Sequence, residues 1–111
     1  MGAHLPGVRC SRAMVDGELT IRQGQREWSS SLLDVSLSGV KARLPDAFDC
    51  AMNDGAELEI QGLRGERVMA WAKVARLSDD HAAFRFDRLS TPNETRLREL
   101  IKQGKLYDHF D

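Results

Sequence analysis

A carboxylate, a hydroxyl and a glycine stand close together at Asp34, Ser36 and Gly39. Two guanidinium groups, Arg9 and Arg12, precede them, and an indole, Trp71, follows. A carboxylate and a hydroxyl accept hydrogen bonds from N–H donors, while arginine offers a planar fork of donors to phosphates and paired acceptors. An indole gives a flat face for stacking. Gly39 lets the backbone turn tightly or come close to a bound group. Together these residues suit the binding of a compact anionic ligand and supply no nucleophile with its base.

The elements that must position them read as one small β domain. The chain has 111 residues, 41% hydrophobic and 30% charged, with a net charge of -1. That size predicts one domain with one modest core. The charge balance argues against general nucleic-acid binding through a wide basic surface. No apolar run reaches the roughly 20 residues of a membrane span. Met1 to Arg12 lacks the apolar region of a secretory signal. Cys10 and Cys50 form no motif, which favours reduced thiols in the cytoplasm. His4, His81 and His109 are scattered, Asp79-Asp80 reads as a turn, and neither G-x-S-x-G nor a phosphate loop occurs. The expectation is a protein that is not an enzyme.

Residues 1–12 read as a flexible arm, 13–104 as the folded domain and 105–111 as a tail. Strand-like alternation begins at Ala13, with Leu19 and Ile21 on one face, and Gly24 turns the chain into a second strand through Trp28 and Leu33. The Asp34–Gly39 segment interrupts it. Val40, Ala42 and Leu44 mark a third strand. A loop from Asp46 to Gly55 carries the apolar plugs Phe48 and Met52. Leu58 and Ile60 mark a fourth strand, Glu66 to Leu77 a long fifth with Val68, Ala70, Ala72 and Val74 in register, and Ala82, Phe84 and Phe86 a sixth. Short strands joined by tight turns predict a barrel or sandwich. Thr91 then serves as N-cap, with Pro92 at N1 and Glu94 closing a capping box. Leu97, Leu100 and Ile101 form the buried stripe of a helix that Gly104 ends. Trp71 alternates against Ala70 and Ala72 and so faces outward, with Lys73 on the same side. Trp28 reads as a packing residue.

The Asp34-x-Ser36-x-x-Gly39 segment, between the second and third strands, resembles the D-x-S-x-x-G signature of PilZ domains. The resemblance runs from Arg12 to about Gly104. It implies a six-stranded antiparallel β-barrel with a C-terminal α-helix, and binding of the second messenger cyclic di-GMP, with no other cofactor. Asp34 and Ser36 would then meet donors of the guanine or ribose. Arg9 and Arg12 would meet the O6/N7 edge or the phosphates, and Trp71 would stack on a base. The family also carries R-x-x-x-R ahead of the first strand. Here Arg12 falls at the second arginine, whereas Val8 stands at the first and Arg9 is its neighbour. The literal R-x-x-x-R at Arg22 and Arg26 straddles the Gly24 turn and reads as a charged hairpin tip. Two functions follow from the resemblance. One is a cyclic di-GMP effector whose arm orders on the nucleotide and alters contacts with a protein partner. The other is a PilZ domain that contacts protein without nucleotide in motility or pilus assembly. Asp34 and Ser36 acting only as turn caps remains an alternative.

Overall fold

A computed structural model describes residues 12–107. Calls on Arg9, on Val8 and on the rest of the leader lie outside the described residues. The elements are β1 (Arg12–Met14), β2 (Gly17–Gln23), β3 (Arg26–Val35), β4 (Gly39–Arg43), β5 (Gly55–Gly62), β6 (Arg67–Leu77), β7 (His81–Arg88), α1 (Thr91–Gln103) and β8 (Lys105–Tyr107). The strands β2-β5-β6-β7-β4-β3 run in that order, and a β2–β3 ladder closes the ring. This is the expected six-stranded antiparallel barrel with its C-terminal helix. β1 is paired with β3 on one side and β8 on the other, outside the ring.

Alternation sets the inside of the barrel. Leu19, Ile21, Val40, Ala42, Leu58, Ile60, Val68, Val74 and Phe84 are buried, and their sequence neighbours mostly point outward. Phe48 packs edge-on between Trp28 and Phe84, and the indole N–H of Trp28 donates to the Ala47 carbonyl. Met52, expected as a second plug, is half exposed; Phe48 and the buried Cys50 are the residues by which the loop joins the core.

The helix begins one residue earlier than the capping pattern suggested. Ser90 is the cap, accepting from the Asn93 backbone and side-chain amides, and Glu94 pairs with Arg98 instead of closing a box. Adjacent Ser and Thr make the two choices alike in sequence. Asn93 decides between them, because its carbonyl oxygen also accepts the Met69 N–H at 2.9 Å and ties the helix start to β6. Leu97 and Leu100 are buried in the core, with Ile101 beside them. Gly104 does stop the helix, though not through a left-handed turn: its φ is -85°. A Cβ there would stand 2.8–2.9 Å from Val15 and Ala13, so closeness to the β1 end excludes a larger residue.

On the outside, the buried Glu59 carboxylate is held by Arg22 at 3.0 Å, Arg67 at 2.7 Å and Gln61 at 2.8 Å. The Arg22 hydrogen bond, aided by Gln61 and Arg67, holds Glu59 below its ordinary 4.5 against the opposing effect of burial. Asp54 is lowered likewise by the Ala51 N–H and Gln23, and Asp80 by His81 and Ser78. A carboxyl with a depressed native pKa stabilises the fold above its unfolded pKa, and that contribution is lost as pH falls through the native value. The melting temperature is therefore expected to be flat above about pH 5 and to fall steadily below it. Arg22→Leu should lower the melting temperature at neutral pH and shrink the acid loss, both readable by thermal melts across pH.

Candidate functional site

The Asp34–Gly39 loop closes on itself. The Ser36 N–H donates to the Gly39 carbonyl at 2.9 Å, and the Ser36 hydroxyl lies 3.0 Å from that of Ser38 and accepts the Ser38 N–H at 3.2 Å. Ser36 is fully buried, so its hydroxyl shapes the loop rather than facing outward; Ser38 and Leu37 carry the exposed surface. The loop is anchored to β7 by the Phe86 N–H, which donates to the Ser38 carbonyl at 2.9 Å. Gly39 is required by β7 as well. A Cβ at this position would stand 2.2 Å from the Phe84 carbonyl oxygen.

Asp34 lies on the outer side of β3, opposite Met14 of β1 and Lys41 of β4. Its side chain is only 4% exposed. Arg12 donates to Asp34 Oδ1 from Nε at 2.9 Å and from Nη2 at 2.6 Å, and Lys41 Nζ lies 3.4 Å from Oδ2. Arg12 reaches this position because β1 is hydrogen-bonded on both edges, with Ala13 buried beneath it. Leader and loop thus converge on one carboxylate. Met14 and Leu37, both partly exposed, provide apolar surface near the same residues.

The structure therefore brings Arg12, Asp34, Ser36 and Gly39 together. Trp71 is not among them. It sits on β6, with β7 and β4 between it and β3, about 14 Å of sheet. Its indole lies across Gly55 of β5 and is 42% exposed. Stacking on a ligand held at Asp34 would have to span that width. Lys41 was missed in sequence. Its signal was its place two residues after Gly39, on the outward phase of β4. The pair Arg22 and Arg26 is spent elsewhere, Arg22 on Glu27 and Glu59, Arg26 on Asp49 and Gln23 and over the Trp28 ring.

Among the described residues, no group of His, Cys, Asp and Glu is placed to hold a metal ion, and no helix is long and apolar enough to cross a membrane. A groove of about 480 Å³ lies between the β5–β6 turn and α1 and shares no residue with the Asp34 cluster.

A small closed barrel, a helix at its C-terminal end and Arg12 held at the Asp34 loop match the outline that the resemblance implied. The PilZ domain family matches residues 8–103, and the chain belongs to it. Members of that family are binding and effector modules. No curated protein matches the chain. Solved structures share its fold at low identity. The inhibitor of motility MotI/DgrA of Bacillus subtilis superposes with a TM-score of 0.72 at 15% identity, over 86% of this chain and 50% of its own. The chain thus spans half of that protein's length. The PilZ domain of YcgR from Escherichia coli, solved with c-di-GMP, gives 0.71 at 18% identity, over 82% of this chain and 86% of its own. The PilZ domain of CeSA from a cellulose-synthesizing bacterium gives 0.64 at 15%, over 82% and 94%.

Proposed function

We propose that this chain is a cyclic di-GMP-responsive adaptor that acts in the cytoplasm. The nucleotide docks on the outer face at the Asp34–Gly39 loop. Asp34 accepts from the guanine N1–H and N2–H₂ donors, Arg12 turns to the O6/N7 edge or a phosphate, and Arg9 adds a second guanidinium from the leader. Ordering of the leader then changes the surface shown to a protein partner. The observation that carries this reading is the Arg12–Asp34 contact, which joins the two halves of the family's binding pattern on one nearly buried carboxylate. That the YcgR domain was solved with c-di-GMP supports the choice of ligand.

A second reading, a nucleotide-independent protein-binding domain in motility or pilus assembly, is favoured by Val8 at the place of the first arginine. The fold shared with an inhibitor of motility is compatible with both.

Isothermal titration with cyclic di-GMP separates them. Binding is expected, with Arg12→Ala weakening it by the worth of one bidentate arginine contact, about 1–3 kcal/mol, or roughly 5- to 150-fold. No heat at high protein concentration would leave the second reading standing.

A further inference from the structure

The hairpin between β5 and β6 ends in a rigid tip that carries an unusual residue for a tip. The Gly65 N–H donates to the Gly62 carbonyl at 3.3 Å, the Gly62 N–H to the Glu66 carbonyl at 3.0 Å, and the Arg64 N–H to the Glu66 carboxylate at 3.1 Å. Gly65 takes a left-handed φ of 91°, as the closing residue of such a short turn does. Turns of this kind favour polar residues, yet the tip holds Leu63, 78% exposed and the most exposed of the large apolar side chains described. Beside it runs the groove of about 480 Å³ between this turn and α1. Gly65 lines the groove from the turn, Met69 from β6 and Thr95 from the helix. A fixed apolar knob and a hole thus lie side by side on one surface.

The charges around the groove say what fits it. Arg67 and Arg96 line it together with Glu66 and Glu99. Arg96 makes no ion pair among the described residues. A partner of one sign would meet repulsion as well as attraction across such a patch. A second copy, turned about a two-fold axis, sets the acids of one patch against the bases of the other, and pairing of this kind is the commonest among soluble chains. The same rotation carries each knob to the other copy's hole. The tip is already held by its own hydrogen bonds, so little freedom is lost when Leu63 is seated. We infer that the β5–β6 tip and the adjoining groove form a two-fold contact between copies of this chain, with Leu63 of each seated in the groove of the other. The patch has fewer than the roughly 20–30 residues a side of a stable interface, so the pair is weak, with a Kd of about 10–100 μM. It shares no residue with the Asp34 cluster and stands whether or not nucleotide binds.

Sedimentation equilibrium tests it. The average mass is expected to rise from one chain towards two as concentration approaches about 1 mM. Leu63→Asp sends a charge towards an apolar hole and should weaken association about tenfold or more. Its melting temperature in dilute solution should stay unchanged, because Leu63 is exposed in the single chain. Thr95→Trp fills the groove from the exposed side of α1 and is expected to weaken association likewise. A mixture of these two variants keeps one intact tip facing one intact groove, so it should associate more tightly than either variant alone. Met52→Asp makes the same kind of change at another half-exposed apolar residue, away from the groove, and should leave association as it was. The inference is overturned by a single chain throughout the range, by full association of Leu63→Asp or Thr95→Trp, by an equal loss in Met52→Asp, or by a mixture no tighter than its parts. A lowered melting temperature of dilute Leu63→Asp would overturn it too, by giving Leu63 a use within the single chain. So would growth beyond two copies, because a closed two-fold contact stops at a pair.

Discussion

Asp34→Ala is expected to lose about a hundredfold or more in cyclic di-GMP affinity, the largest functional effect of any single change in the proposed site. The carboxylate has two uses there. It accepts from the guanine donors, and it holds Arg12 and Lys41 within 2.6–3.4 Å so that the cations are in place before a ligand arrives. Removing it forfeits the direct contact and leaves two cations to repel each other where it stood. The barrel should survive, because Asp34 lies on the outer side of β3 and the core residue beside it, Val35, is untouched. Asp34→Asn keeps an acceptor and loses the charge, so it should fall between. Unchanged or tighter binding by Asp34→Ala in a calorimetric titration would show that the carboxylate merely competes for Arg12.

Gly39→Ala is the second large effect, and it acts on the fold. The added Cβ would sit 2.2 Å from the Phe84 carbonyl oxygen and 3.2 Å from its carbon, both backbone atoms of the neighbouring strand. Neither atom can rotate aside. Relief requires β4 and β7 to part at the Gly39–Arg85 rung, which loosens the Ser38–Phe86 hydrogen bond and the loop that presents Asp34. A cost of about 2–4 kcal/mol follows from such overpacking, or a melting temperature lower by roughly 10–20 °C. Denaturant unfolding and a thermal melt measure it. A loss under about half a kcal/mol would mean that the strands separate freely there. The two variants differ in kind: Asp34→Ala spoils binding in an intact barrel, whereas Gly39→Ala damages the barrel first.

The sequence made most of the barrel legible because its strands alternate cleanly. Val68, Ala70, Ala72 and Val74 repeat every second residue, and all four are buried. What it left unread was set by contacts far along the chain. Met52 looked as apolar as Phe48, yet only Phe48 meets Trp28 and Phe84. Ser90 and Thr91 are equal as caps until Asn93 is seen bonded to Met69. The 105–111 tail showed no pattern, and β8 forms there because β1 offers it an open edge. At the site, spacing brought Asp34, Ser36 and Gly39 to notice, but not the inward turn of the Ser36 hydroxyl or the claim of β7 on Gly39. Trp71 faces outward as its phase required; strand order, which periodicity does not encode, puts two strands between it and Asp34.

β1 has a consequence for how a signal would leave the domain. The strand that carries Arg12 shares one edge with β3 and the other with β8, with residues 12, 13 and 14 facing 107, 106 and 105. Whatever pulls on the last strand therefore tugs at the arginine, and whatever grips the arginine steadies the last strand. By thermodynamic reciprocity, a partner that favours the docked form of β8 would raise nucleotide affinity by the same factor with which nucleotide raises its own. Message and reader would then meet on three residues of backbone.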